Sequence, residues 1–177
     1  MGSRILDNAV VVVTGASSGI GRAAATEFAR AGCRVVLAAR TEPRLLAAAA
    51  AIESTGSRAI PVVCDVRLEA DVSRLMEKAR ETFGRIDILV CNAGVGLCSR
   101  VEEIPLPALH SVFDVNFFGV VRCVQAALPG MLQQRSGLIQ IVSSVIGRRA
   151  IPGYAGYCAT KFALGALAES LRLEVMG

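Results

Sequence analysis

Tyr157 and Lys161 stand four residues apart in Tyr157-Cys158-Ala159-Thr160-Lys161. On a helix that spacing puts both side chains on one face, one turn apart. A free phenol titrates near pH ~10, too high to act as a base at neutral pH. A neighbouring ammonium favours the phenolate and moves the acid/base group toward working pH. With two Tyr and two Lys in 177 residues, composition does not account for the pairing, and Tyr154 has Cys158 at the matching position. The bland alternative is an amphipathic helix with ordinary surface residues.

A second chemical signal is the run Thr14-Gly15-Ala16-Ser17-Ser18-Gly19-Ile20-Gly21 between an apolar run and a helical stretch. Glycines let backbone N–H groups approach a pyrophosphate, and a helix N-terminus adds partial positive charge. Read alone, a glycine trio is only a tight turn. Its strand–loop–helix setting favours dinucleotide binding through Gly15, Ser17, Ser18, Gly19, Ile20 and Gly21. A carboxylate at the end of the second strand would bind a ribose 2′-hydroxyl. Here that strand ends Leu37-Ala38-Ala39-Arg40. A permanently charged, forked guanidinium suits a 2′-phosphate instead. The alternatives are a solvated Arg40 and interference from Glu42, and Arg22 is a second basic candidate.

The elements that must position these residues follow from periodicity. Ala9–Val13, Val35–Ala39, Ala59–Val63, Ile86–Cys91 and Leu138–Val142 are short apolar runs that read as strands covered on both faces. Helical stretches lie between them: Ile20–Arg30, Pro43–Ser54 with Thr41 as N-cap, Leu68–Phe83 ending at Gly84, Pro107–Gln134 bent or broken near Pro129-Gly130, and Tyr154–Val175. Strict alternation predicts a doubly wound α/β fold, a Rossmann-like parallel sheet with helices on both faces and right-handed crossovers.

Composition narrows the function further. The net charge of +4 is spread along the chain, and two Tyr, six Phe and no Trp are poor material for stacking nucleobases, so no nucleic-acid partner is expected. The most apolar stretch, Val112–Leu132, is interrupted by Asp114, Asn116, Arg122, Gln125 and Pro129, so no membrane span is expected. The residues before Asp7 and Asn8 do not read as a signal peptide, and six Cys without a Cys-x-x-Cys pair suit a reducing, cytoplasmic setting. His110, the one histidine, has no second ligand nearby, so no metal site is expected.

Together these motifs resemble the classical short-chain dehydrogenase/reductase family, whose glycine spacing is G-x-x-x-G-x-G. The resemblance runs from Val10 to Leu173 and includes Cys64-Asp65-Val66 and Asn92-Ala93-Gly94, the latter with Cys91 where the family usually has a second Asn. It implies an NADP(H)-preferring oxidoreductase, with NAD(H) the alternative, that moves a hydride between the cofactor and an alcohol or carbonyl substrate. Tyr157 would be the proton donor or acceptor. Lys161 would be its electrostatic partner and hold the nicotinamide ribose, Ser144 would anchor the substrate oxygen, and Asn116 would hold a water. Asp65 and Val66 would meet the adenine, and Asn92, Ala93 and Gly94 would floor the cofactor site. Ser143 competes with Ser144, since neighbouring strand residues face opposite sides. The family's dimer or tetramer contacts imply self-association through helices 107–134 and 154–175.

The resemblance also implies a sixth strand, a substrate lid and a seventh strand after Gly177. On that reading residues 1–177 are a single NAD(P)-binding Rossmann domain without them, and Leu138–Val142 is an uncovered, aggregation-prone edge. Three accounts stay open: part of a longer reductase, a short chain that binds nucleotide weakly or not at all, or an inactive dimerising partner.

Overall fold

A computed structural model describes residues 6–176. Residues 1–5 and Gly177, within the span expected to form one domain, lie outside the described residues. Five parallel strands are ordered β3-β2-β1-β4-β5: β1 Val10–Thr14, β2 Arg34–Ala39, β3 Ala59–Val63, β4 Ile88–Cys91 and β5 Leu138–Ile141. Register runs Val11 to Val35 between β1 and β2, Val11 to Ile88 between β1 and β4, and Ile88 to Leu138 between β4 and β5. This is the doubly wound sheet expected from the alternation.

Strand alternation divides the core in two. Val10 and Val12 point to one face, and Val11 and Val13 to the other. Helices α1 (Gly19–Arg30) and α2 (Glu42–Glu53) cover the second face with Ala25, Ala29, Leu45, Ala49 and Ile52. The first face is covered by α3 (Glu69–Phe83), α5 (Gly119–Gln134) and α6 (Ala155–Glu174), through Leu75, Met76, Cys123, Ala127 and Leu164. Burying a Leu or Met side chain contributes about 1.5–3 kcal/mol, so this two-sided β-branched core is what fixes the strand ends that carry the site.

Two expectations are corrected. Coverage on both faces holds for β1, β2 and β4, but not for the edges. In β5, Leu138 and Gln140 are exposed while Ile139 and Ile141 pack on the α5–α6 side, because among the described residues no helix covers the other face that far out. Helix 107–134 is also not broken at Pro129. It begins as α4 (Leu106–Phe113), loosens into a π turn at Asp114–Phe118 and resumes as α5 with Pro129 inside it. Proline removes the N–H that would bond the Gln125 carbonyl. Gln125 and Pro129 both lie on the exposed side, where water can satisfy that carbonyl.

Among the described residues, Leu106–Gln134 is the one helix long and apolar enough to cross a membrane by length and composition. Its Val112, Val115, Asn116, Val120, Cys123 and Met131 are buried.

Candidate active site

The carboxyl ends of β1, β2, β3 and β4 open into a cleft of about 560 Å³. Gly15, Ser17, Ser18, Gly19, Ile20, Arg40, Asp65, Val66, Asn92, Ala93 and Gly94 all line it, so the predicted glycine turn, strand-end Arg and Asn-Ala-Gly segment converge. Crevices at this end of a doubly wound sheet, beside the β1 reversal point, are where such folds bind ligands.

The turn is built for close approach. Gly15 sits at φ +66°, and a Cβ there would lie 2.8 Å from Asn92 Nδ2 and 2.9 Å from Ala93 Cα. At Gly19 (φ +52°) no atom stands within 4 Å of a would-be Cβ, so its open side faces the cleft. Gly21 does not line the cleft. It lies under the turn, where a Cβ would collide with Asn92 Nδ2 and the Gly15 carbonyl. Ser18, the N-cap of α1, makes no side-chain capping bond, and the first turn carries no acid. The first N–H groups of α1 are thus uncapped by any side chain and suited to an anion.

Thr14 and Asn92 lock β1 to β4. The Thr14 hydroxyl accepts from the backbone N–H groups of Asn92 (3.0 Å) and Ala93 (3.1 Å) and donates to the Val90 carbonyl. Asn92 Nδ2 donates to the carbonyls of Thr14 and Gly15. Thr14 is buried, and in the sequence it reads as no more than the first residue of the glycine run.

The basic rim differs from expectation in one member. Arg40 and Arg44 line the cleft, whereas Arg22 does not. Arg44 sits in the first turn of α2, while Arg40 precedes the extended N-cap Thr41. Nothing in the spacing of Arg44 marks it out from the other arginines. Asp65 is held by Arg67, whose Nη2 lies 2.6 Å from Asp65 Oδ2 and whose backbone N–H donates to Oδ1. That guanidinium, with Arg40 as a lesser contributor, holds the Asp65 carboxyl below its usual range.

Tyr157 and Lys161, on α6, do not line that cleft; Lys161 stands beside it, next to Gly94. The Lys161 ammonium lies 5.6 Å from the centre of the Tyr157 ring. Lys161 is 4% exposed, and its Nζ donates to the Val142 carbonyl at 2.9 Å. Burial pushes its pKa below the ordinary lysine value. A Cβ on Gly94 would lie 3.8 Å from Lys161 Nζ and 3.3 Å from Asn116 Oδ1, so the Asn-Ala-Gly segment passes beside both.

Asn116 is fully buried in the π turn. Its Oδ1 accepts from the Val95 N–H (2.8 Å), and its Nδ2 donates to the Val95 carbonyl (2.9 Å) and the Thr160 hydroxyl (3.2 Å). The two serines after β5 separate. Ser143 Oγ donates to the Lys161 carbonyl at 3.4 Å, while Ser144 Oγ caps a short 3-10 turn, Val145–Gly147, by accepting from the Ile146 N–H.

The family model described as short chain dehydrogenase matches residues 9–177. The chain belongs to the short-chain dehydrogenase family. An uncharacterized oxidoreductase of Listeria monocytogenes is 38% identical over 169 residues, which are 96% of this chain and 68% of the relative. An alcohol dehydrogenase of the archaeon Thermococcus sibiricus, solved in complex with 5-hydroxy-NADP, superimposes with a TM-score of 0.91 at 35% identity, covering 95% of this chain and 72% of that one. A short-chain dehydrogenase/reductase of Burkholderia phymatum, solved with NAD, gives 0.92 at 36% identity, covering 94% and 59%. By lineage this short-chain dehydrogenase is thus an NAD(P)-dependent oxidoreductase.

Proposed function

We propose that the chain binds NADP(H) in preference to NAD(H) and interconverts an alcohol and a carbonyl compound. The observation that carries the reading is Lys161, buried within 5.6 Å of the Tyr157 ring and beside Gly94 at the end of the cleft. The cleft residues fit the cofactor. Uncapped N–H groups of α1 and the Gly15–Gly19 turn would hold the pyrophosphate, Arg40 and Arg44 a 2′-phosphate, Val66 and Asp65 the adenine, and Asn92, Ala93 and Gly94 the floor. When bound, the cofactor supplies or accepts the hydride.

The protein's own part is proton transfer and orientation. Tyr157 gives its phenolic proton to the carbonyl oxygen during reduction, or takes one from the alcohol during oxidation. The Lys161 ammonium favours the phenolate left behind. Val142 takes one of its three N–H donors, leaving the others for ribose hydroxyls. Ser144 anchors the substrate oxygen, and Asn116 holds the Val95 backbone, and with it the cofactor floor, against α6. All six cysteines are free, which suits a cytoplasmic setting. Half-exposed Phe118, at the end of the π turn that leads into α5, and Phe162, on α6, support self-association through those helices.

The test is NADPH and NADH titration together with turnover of diacetyl, an unhindered dicarbonyl probe. We expect tighter binding of NADPH, and Tyr157→Phe should abolish NADPH oxidation while retaining NADPH affinity. Turnover surviving that substitution would remove Tyr157 from the reaction.

A further inference from the structure

Between Tyr157 and Lys161 stands a residue with no part in the chemistry described so far. Thr160 is 0% exposed, yet it carries a hydroxyl. A buried hydroxyl costs free energy unless it is bonded, and this one is bonded twice. It donates to the Tyr157 carbonyl at 2.8 Å and accepts from Asn116 Nδ2 at 3.2 Å. The first bond only ties one turn of α6 to itself. The second crosses to the π turn, and through Asn116 it reaches both backbone groups of Val95.

We propose that Thr160 is a positioning residue. It fixes the rotation of α6 about its own axis against the Val95 segment, and so sets where Tyr157 and Lys161 stand relative to the cofactor floor. The inference rests on the function proposed above. Three facts support it.

Asn116 spends both amide hydrogens, one on Val95 and one on Thr160, so the amide cannot turn without breaking a bond to each. The chain of bonds is buried, where hydrogen bonds are strong and unpaired groups costly. Finally, the connection is short. Gly94 precedes Val95, and a Cβ on it would lie within 3.8 Å of both Asn116 Oδ1 and Lys161 Nζ. A small roll of α6 therefore changes the distance from Lys161 to the floor directly.

Thr160→Val keeps the shape and removes the hydroxyl, while Thr160→Ser keeps the hydroxyl. Two readouts are needed. Amide hydrogen exchange at Val95, whose N–H is held by Asn116, requires no turnover. It should quicken about tenfold in Thr160→Val and stay near the wild-type rate in Thr160→Ser, with the Val12 and Leu89 amides unchanged in both. In diacetyl reduction, Thr160→Val should lower kcat about tenfold with little change in the KM for NADPH, and Ser should restore it.

Ile52→Val, a destabilising change in the other core layer, serves as control and should leave the kcat pH profile in place while Thr160→Val shifts it. Wild-type exchange at Val95 in Thr160→Val overturns the proposal. So does unchanged turnover in Thr160→Val when Tyr157→Phe is dead. Turnover surviving in Tyr157→Phe would instead strike the underlying functional reading.

Discussion

Asn92 Nδ2 sits between two carbonyls of the glycine turn, 3.0 Å from Thr14 O and 3.3 Å from Gly15 O, while Thr14 Oγ1 accepts from the backbone of Asn92 and Ala93. The two residues hold each other across β1 and β4 and so tie the glycine turn to the Asn92-Ala93-Gly94 segment.

The two halves of this lock are unequal. Thr14 is 2% exposed, and Thr14→Val would take the shared acceptor from two N–H groups, those of Asn92 and Ala93. Each buried unpaired group costs about 1–3 kcal/mol. Asn92 is partly exposed, so Asn92→Ala frees carbonyls that water can reach. Urea unfolding should show a larger loss for Thr14→Val than for Asn92→Ala, and little for Thr14→Ser. Both damaging variants should weaken NADPH binding. The opposite order would mean that the side-chain amide is the stronger half of the lock.

Cofactor choice should divide between Arg40 and Arg44. Charge-assisted hydrogen bonds contribute about 1.5–3 kcal/mol, so each single change to Ala should weaken NADPH about tenfold or more, and the double change further. NADH affinity should hold in all three. Isothermal titration with both nucleotides reads this out. An unchanged NADPH/NADH ratio in the double variant would sink the assignment.

Lys161 makes stability depend on pH. Its pKa is lowered by burial in the folded chain and is near 10.5 in the unfolded one. Between those values the unfolded chain binds the extra proton, so stability rises with pH across that window. Below the folded value the cost of the buried charge is present in full. Lys161→Met removes the titration. Unfolding measured at pH 7 and pH 10 should show Met gaining on wild type at pH 7 and losing that advantage at pH 10. A pH-independent difference would mean that Lys161 titrates alike in both states.

The β5 edge should be adhesive. Leu138 is 55% exposed there, and an apolar edge strand recruits other strands. Leu138→Lys should lower light scattering at high concentration without changing NADPH affinity.

Much of this arrangement was legible from the residues. Val10–Thr14 and Arg34–Ala39 are β-branched and alanine runs ended by glycine or polar turns, and nothing in their surroundings competes with that reading. The glycine turn, Arg40 and Asn92-Ala93-Gly94 meet because parallel strands end on the same side. Other features needed coordinates. Pro129 predicted a bend or a break, and its exposed face makes the break unnecessary. The π turn at Asp114–Phe118 has no spacing signature, since the Asn116–Val95 bonds that accompany it are contacts with a distant segment. Arg22 and Arg44 are equally basic in sequence, and only the directions of α1 and α2 separate them. Thr14 and Thr160 look like ordinary small polar residues until their partners are seen.

The π turn also constrains anyone redesigning this protein. A helix advances about 100° per residue, but the wide turn at Asp114–Phe118 takes up its extra residue in place, so α5 still sets Cys123 and Met131 against the sheet. A residue inserted within the regular sixteen of α5 would have no such turn to absorb it. It would rotate everything beyond it by more than a quarter of a revolution and carry Met131 off the sheet, so the tolerant place for a change of length is the π turn itself.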